Sequence, residues 1–322
     1  MITSLARGSI ALHSFDVSFL QQQPVQFAAI RKSLVLAFFL VAQLAVAQGL
    51  TVVYMEGEAD LQSGSSWVQL ALGKAVPPNS SIRLTPGGLL QLKGAGVELT
   101  FSRPGSYVIR AVLAEREKIS SAGAGAALLS SLRSLVFGPV TRSDANLGAR
   151  GANESKPQDQ GWAESTAEVF LDAGKEYVKA GKYVMAIEQL REALQSATEQ
   201  EAPEIRYYLA YASSLNGDAP EAWKQISAIH AGSEPWAGDF ILLKAKLLED
   251  SIANEDAVAW LTQDGNDLSR DSDRAPLYYF LLGLGYRGSG DGEKALQALS
   301  KVVSISATSD LGKAARELSQ QP

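Results

Sequence analysis

Few residues of this 322-residue chain could carry out chemistry. The histidines are His13 and His230, and there is no cysteine, which excludes a disulfide, a thiolate metal site and a cysteine nucleophile. A catalytic triad or a histidine metal site in the C-terminal part would depend on His230 alone. Acidic residues such as Glu192, Glu201 and Glu204 lie in highly charged segments, where solvation explains them without catalysis. The sequence therefore predicts a protein that is not an enzyme and holds no cofactor or metal.

One glycine motif has the spacing of a phosphate-binding turn. Gly283, Gly285 and Gly288 form G-x-G-x-x-G, which holds a dinucleotide where a strand turns into a helix. The residues before Gly283 continue an apolar helical pattern, so the required strand is missing from the sequence pattern. We therefore interpret the motif as packing positions in a helix and its turn.

The C-terminal half repeats one pattern four times. Ala186, Ala222, Ala257 and Ala295 mark equivalent positions that are 36, 35 and 38 residues apart. A period of this size is typical of stacked helical hairpins. Each copy contains two apolar runs at helical spacing, and Gly181 stands between the runs of the first copy, where a helix end often requires a positive φ. Because one hairpin cannot cover its own apolar face, the copies should stack into one array.

The residue types of these copies resemble the tetratricopeptide repeat family. The resemblance is carried in the first copy by Phe170, Gly174, Tyr177, Gly181, Tyr183, Ala186, Leu190 and Ala193, and in the fourth by Tyr279, Leu282, Gly283, Tyr286, Gly290, Ala295 and Leu299. It covers residues 163–305, with a capping helix and tail over 306–322. The second copy lacks the usual aromatic at Ser213, and the third has Lys244 and Ile252 where leucine and glycine are expected.

The resemblance implies a groove lined by the first helix of each hairpin, with a protein or peptide bound in it. The residues carried over to this groove mix aromatic side chains with charges of both signs. The candidate partner-binding residues, here called the groove set, are Lys175, Tyr207, Tyr211, Lys246, Phe280, Leu284 and Arg287. An alternative stays open for Tyr207, Tyr211 and Phe280, because aromatic residues on helices usually pack in the core.

Residues 50–112 follow a different pattern. Short apolar or alternating runs are separated by clusters of Gly, Pro, Asn and Ser, which is typical of a small all-β sandwich or barrel. The runs are Leu50–Tyr54, Trp67–Leu70, Ser81–Leu84, Leu89–Leu92, Val97–Phe101 and Tyr107–Ile109. A chain of about 60 residues is near the lower limit for an independent core, so this region should dock on neighbouring segments.

This β region is similar to the FecR domain of bacterial envelope proteins. The resemblance is carried by Gly57–Ala59, Trp67, Leu70, Gly73, Pro78, Ile82, Arg83, Pro86–Gly88, Leu90 and Leu92. It implies an extracytoplasmic module, found both in envelope signalling proteins and in proteins whose ligand is unknown. The domain ends at residue 112, or near residue 153 if the turn Leu147–Gly151 belongs to it.

The N-terminus predicts export. A basic pair precedes the apolar run Ser33–Ala47, which ends in Ala-Val-Ala, a small-x-small cleavage site before Gln48. The run is shorter than the roughly 20 residues that span a bilayer, so a cleaved signal peptide over residues 1–47 is favoured over an anchor. The upstream part is either an over-extended start or a short cytoplasmic tail. Residues 113–162 should contain a helix over Ala122–Phe137, followed by a flexible linker.

Together these patterns predict an α+β multidomain protein, in which a small all-β sandwich or barrel precedes an all-α array of helical hairpins. Without residues 1–47, 26 basic and 34 acidic residues remain, a balance that argues against nucleic-acid binding. The predicted function is a periplasmic or secreted scaffold that holds another envelope protein or peptide, with peripheral association to membrane or cell wall left open. The alternative is a FecR-like envelope sensor or regulator anchored by residues 31–47.

Overall fold

The computed structural model describes residues 49–94, 96–138, 166–230 and 232–321. The predicted signal peptide over residues 1–47, the linker Thr141–Gly161 and the turn Leu147–Gly151 lie outside the described residues. Within the described part, an antiparallel β region precedes eleven α-helices. This order agrees with the predicted α+β class.

Eight strands form two four-stranded antiparallel sheets, with strand orders β4-β1-β6-β7 and β3-β2-β5-β8. The strands are β1 (Leu50–Glu56), β2 (Ala59–Ser63), β3 (Ser66–Gln69), β4 (Ala75–Val76), β5 (Ser81–Leu84), β6 (Leu89–Gly94), β7 (Val97–Phe101) and β8 (Gly105–Val108). The two sheets share an apolar core that contains Val52, Ile82, Leu90, Leu99 and Phe101, all buried. The alternating runs of the sequence therefore supply one face of each sheet.

The helices follow directly from β8. They are α1 (Ile109–Ser121), α2 (Ala124–Phe137), α3 (Thr166–Lys179), α4 (Tyr183–Ser196), α5 (Ala202–Leu215), α6 (Ala219–Ser227), α7 (Ala237–Asp250), α8 (Asn254–Asp264), α9 (Ala275–Gly288), α10 (Gly292–Ser306) and α11 (Asp310–Gln320), with a 3-10 helix at Asn266–Arg270. From α3 onward, consecutive helices pack as the pairs α3–α4, α5–α6, α7–α8 and α9–α10, and α11 packs on α10.

The turn inside each pair contains a residue with positive φ. The angle is +73° at Gly181, +78° at Gly217 and +85° at Gly290. In the third pair the position is taken by Ile252 with φ +57°, the one non-glycine residue with positive φ in the described part of the chain. A β-branched side chain in this region is strained. Ile252 packs against the core of the β region, a contact that glycine could not make.

Glycines let the paired helices approach each other closely. A Cβ built on Gly174 in α3 would lie 2.6 Å from Leu190 Cγ in α4. In the same way, a Cβ on Gly283 in α9 would lie 2.7 Å from Leu299 Cδ2 in α10. Both glycines therefore make room for a leucine of the second helix, as expected from the sequence.

The G-x-G-x-x-G motif lies entirely within α9, where its other two glycines face the third helix pair. A Cβ on Gly285 would lie 2.7 Å from Glu249 Oε1, and a Cβ on Gly288 would overlap the Asn254 amide. The described residues between α1 and α9 form helices and no strand, so the strand that a dinucleotide site requires does not come before α9. The motif is therefore a packing surface.

Alanine at Gly285 is expected to destabilise the protein by about 1–3 kcal/mol, the usual cost of overpacking. Alanine normally stabilises a helix by up to about 1 kcal/mol relative to glycine, but here it would also approach Val258 Cγ2 to 2.7 Å. The matched control is Gly125→Ala in α2, since a Cβ there meets nothing within 4 Å, and that variant should be slightly stabilised. Urea denaturation of both variants measures the difference. Equal stabilisation in the two would contradict close packing around α9.

Candidate functional site

Helix α2 lies across the first helix of every pair. Arg133 Nη2 donates to the last carbonyl of α3 at 2.6 Å, and the Phe137 ring lies 6.1 Å from that of Tyr211 in α5. The same helix contacts α7, α9 and α11. Leu128 and Leu132 of α2 are buried in the apolar core of the helix pairs. The surface that the sequence analysis assigned to a partner is therefore covered by the chain's own helix.

The apolar members of the groove set are buried in this structure. Tyr207, Tyr211, Phe280 and Leu284 are at most 5 % exposed, and Tyr207 stacks on Trp236 with 5.4 Å between ring centroids. They pack against neighbouring helices, as the alternative interpretation of the aromatic residues expected. None of these four side chains is open to a partner in this structure.

Two groove hydroxyls are left without hydrogen bonds. Tyr207 Oη and Tyr211 Oη are buried and have no partner among the described residues. Burial is the main reason why the pKa of Tyr207 and the pKa of Tyr211 lie above the ordinary value of 10.0. An unmade hydrogen bond of a buried polar group costs about 1–3 kcal/mol. Helix α2 reaches Tyr211 through the Phe137 ring but gives its hydroxyl no hydrogen bond.

The lysines of the groove set are paired within the array. Lys175 Nζ lies 2.7 Å from Glu204 Oε1 and 4.7 Å from the centre of the Tyr208 ring. Lys246 Nζ donates to Ser214 Oγ at 2.8 Å and also pairs with the carboxylate of Asp250. These contacts link first helices of successive pairs, so the two lysines contribute to stacking in this structure.

Arg287 joins three helices. Its Nε donates to Glu115 Oε1 of α1 at 2.6 Å, and its Nη1 donates to the carbonyls of Leu318 and Gln321, at the end of α11, at 3.1 and 3.2 Å. The Arg287 side chain is 12 % exposed. This member of the groove set therefore holds α1 and the C-terminus instead of an outside partner.

The β region is attached to the third helix pair. Ser102 Oγ donates to Ser251 Oγ at 2.9 Å, and the Ser102 N–H donates to the Ser251 carbonyl at 3.4 Å. Arg103 pairs with Glu255 and Asp256 at the start of α8. The predicted docking of the β region is thus present, and it involves both main-chain and side-chain contacts.

Arg116 of α1 continues this attachment at the end of α7. Its Nη2 donates to the carbonyl of Glu249 at 3.0 Å and to that of Asp250, and its Nη1 lies 3.7 Å from Asp250 Oδ1. A cation at the last turn of a helix also complements the negative end of the helix dipole. Arg116 and Glu115 were not anticipated from the sequence, because the strand pattern was extended to Ile109 and the β domain to residue 112. The strands end at Val108, and the helical spacing of apolar residues after it was the available signal.

His230 is exposed in the segment after α6, and no three His, Asp or Glu side chains of the described part are grouped as metal ligands.

No single helix among residues 49–94, 96–138, 166–230 and 232–321 is long and apolar enough to cross a membrane. The helices α1 and α2, bent by 62° relative to each other, together have the length and composition of a span.

No protein-family model matches the chain, and no curated protein matches it. The similarities to tetratricopeptide repeats and to FecR domains therefore rest on the residue patterns described above.

Proposed function

We propose that this chain is an exported, non-catalytic scaffold of the bacterial envelope, located in the periplasm or secreted. Its FecR-like β region is joined to a tetratricopeptide-like array, and a protein or peptide binds in the groove that α2 covers. The observation that carries the proposal is the path of α2, which contacts the first helix of all four pairs. In the repeat family these helices line the ligand groove, so α2 takes the place of a ligand.

The turn geometry supports the repeated hairpin. Gly181, Gly217, Ile252 and Gly290, the residues with positive φ inside the four pairs, are 36, 35 and 38 residues apart. These are the same intervals that separate the four alanines of the sequence pattern. A repeated interval in both backbone conformation and residue type is expected of one structural unit used four times.

Helix α2 is weakly stabilised as a helix, which supports its displacement by a partner. It begins after Gly123 with φ +66° and no side-chain cap, and it has no acidic residue in its first turn and no basic residue in its last. Capping and dipole compensation are each worth about 0.3–2 kcal/mol, so α2 depends on its contacts with the groove. A partner that offers a hydrogen-bonding group to Tyr211, whose ring contacts Phe137 of α2, would satisfy an atom that α2 leaves unpaired.

The proposal makes partner binding a competition with α2. When a binding-competent state is only a fraction of the population, the apparent affinity falls by that fraction. Weakening the contacts of α2 should therefore strengthen capture of the partner, even though no residue of the groove is changed.

The test compares two versions of α2. Leu128→Ser with Leu132→Ser removes buried leucines that face the array, whereas Leu129→Ser makes the same change at a position that is 36 % exposed. We expect the buried double variant to capture an envelope protein at least about tenfold more strongly than wild type, with Leu129→Ser close to wild type. Affinity capture from envelope extracts with tagged mature chain measures this. A synthetic peptide of residues 122–138 should compete with the captured protein.

Two results would contradict groove binding. Equal capture by wild type and both variants would place any partner on another surface. Capture by the double variant that the peptide does not reduce would indicate adhesion to exposed apolar residues instead of groove recognition.

A second candidate is a FecR-like envelope sensor or regulator, anchored by residues 31–47, which lie outside the described residues. It is favoured by the direct attachment of the β region to the array at Ser102 and Ser251, because rigid contacts can pass a change in one module to the other. N-terminal sequencing of the purified native protein decides between the candidates. A chain that begins at Gln48 would exclude the anchored sensor, and an uncut N-terminus in the membrane fraction would favour it.

A further inference from the structure

Strand β3 is an open edge of the second sheet. It pairs with β2 on one side, and its extensive contacts are with that strand. Val68 lies opposite Leu61, which packs against the core of the β region, yet Val68 itself is 48 % exposed. Charged residues and prolines commonly keep such an edge from pairing with another chain. Strand β3 contains neither.

The other sheet edges differ from β3. Strand β4 has two residues, and β8 leads directly into α1. Strand β7 faces the helix pairs, since its Glu98 and Thr100 line a small cleft together with Gly217 and Leu247. Among the strands of the described residues, β3 is therefore the edge best suited to accept another strand.

The hydrogen bonds of the β2–β3 hairpin show which backbone groups of β3 point outward. The Leu70 N–H donates to the Ala59 carbonyl at 2.8 Å. Hydrogen-bonded and non-hydrogen-bonded pairs alternate along an antiparallel ladder, so the backbone of Val68, two residues earlier, is also bonded to β2. The N–H and C=O groups of Trp67 and Gln69 therefore point away from β2, where no strand of the described residues accepts them.

These outward groups are complementary to a second copy of themselves. If two copies pair antiparallel with Val68 at the two-fold axis, Trp67 of each copy lies opposite Gln69 of the other. Each outward N–H then donates to the carbonyl of the opposite residue. The Val68 side chains meet in the closer, non-hydrogen-bonded pair, so each covers apolar surface that its own chain leaves exposed.

Contacts within the chain hold β3 in the conformation that this pairing needs. The hairpin turn contains Gly64 with φ +62°, and the Ser66 hydroxyl donates to the Ser63 carbonyl at 3.0 Å. On the outer face, the Arg83 guanidinium lies 4.8 Å from the centre of the Trp67 ring. A strand that is already ordered loses little conformational freedom when it binds.

We propose that two copies of this chain pair in solution through β3, antiparallel and with Val68 at the two-fold axis. The pairing joins two four-stranded sheets into one continuous sheet. Because both copies use the same edge, assembly ends at two chains. The pairing requires no displacement of α2 and is independent of groove binding.

Sedimentation equilibrium of the mature chain tests the pairing. A four-residue strand buries less than the roughly 1,200 Å² of a stable interface, so we expect a transient dimer with a Kd on the order of 0.1 mM. Val68→Lys places like charges opposite each other and should raise the Kd at least about tenfold. The matched control is Val53→Lys, at a position that is 45 % exposed on β1, between β4 and β6. Its Kd should stay within about twofold of wild type.

Val68→Cys tests the register without adding a charge. The natural chain has no cysteine, so the variant contains a single thiol. Oxidised glutathione should convert it to a disulfide-linked dimer, because Cα atoms about 4.5 Å apart in a non-hydrogen-bonded pair are within disulfide range. Gln69→Cys and Val53→Cys should cross-link at least about tenfold more slowly, since neither residue lies opposite its own copy.

Three results would overturn the proposal. They are a monomeric wild type at about ten times the expected Kd, equal dimerisation by Val68→Lys and Val53→Lys, and equal cross-linking of Val68→Cys and Gln69→Cys. The first would leave the edge of β3 to an extended segment of another protein.

Discussion

Replacing Glu249 with glutamine is expected to make the protein more stable at pH 7 and to leave its stability almost unchanged near pH 4. Burial raises the pKa of the Glu249 carboxyl well above its ordinary value of 4.5, and Asp250 raises it further, while Arg116 opposes the shift. Folding therefore favours the protonated form. Glutamine has the same shape and carries no charge at any pH.

The sign of the pH dependence follows from proton binding. Above pH about 4.5 the unfolded chain releases the proton of Glu249, while the folded chain retains it up to the raised pKa. The folded state then binds more protons, so stability falls as the pH rises, by at most about 1.4 kcal/mol per pH unit. The glutamine variant lacks this loss, and its advantage should grow through the same window.

Urea denaturation of the wild type and of Glu249→Gln from pH 4 to pH 8 measures the effect. Glu255→Gln is the matched control, since the Glu255 side chain is 62 % exposed and loss of its surface ion pair should cost at most about 1 kcal/mol at any pH in this range. A difference between wild type and Glu249→Gln that stays constant with pH would show that the carboxyl is not protonated in the folded state.

A disulfide between positions 102 and 251 is expected to stabilise the protein by about 3–5 kcal/mol. Ser102→Cys with Ser251→Cys would introduce the only cysteines of the chain. The two hydroxyl oxygens lie 2.9 Å apart, and a main-chain hydrogen bond joins the same residues, so the two side chains are close enough for a disulfide to be tried here. The bond would close a loop of 149 residues, and long loops lose the most entropy in the unfolded chain.

The oxidised and reduced forms of this one variant control for each other. Urea denaturation with and without reductant measures the gain, and the reduced form reports the cost of losing the Ser251 hydrogen bonds to the carbonyls of Leu247 and Leu248. Intermolecular dimers in place of an internal bond would show that β7 and the end of α7 are not adjacent in solution. A gain below about 1 kcal/mol would indicate that the β region stays near the array after it unfolds.

Strands with several apolar residues could be predicted from the sequence, and strands with few could not. Ser81–Leu84 and Val97–Phe101 coincide with β5 and β7, and the predicted run that began at Leu89 is β6. The strand β2 was missed because its five residues are mostly polar, and β4 because it has only two residues. Their conformation depends on pairing with β5 and β1, which a local pattern cannot reveal.

The helix pairs could be predicted for a different reason, because the same pattern of apolar residues and glycines occurs four times in the sequence. Even the glycine position of the third turn was identified, although Ile252 occupies it. What could not be predicted was the destination of α2. The apolar face of α2 was visible in the sequence, but such a face shows only that the helix packs against another element, not which one. A contact between residues as far apart in the chain as Phe137 and Tyr211 leaves no local signal.

The path of α2 has a consequence for how this array could change in evolution. Helical repeat proteins without such a helix can gain or lose units, because each unit contacts only its neighbours. Here one helix of 14 residues contacts the first helix of all four pairs and the C-terminal helix α11 as well. Deleting or duplicating one pair would leave α2 too long or too short for the surface that it covers. The number of helix pairs in this protein is therefore set by a segment that lies outside them.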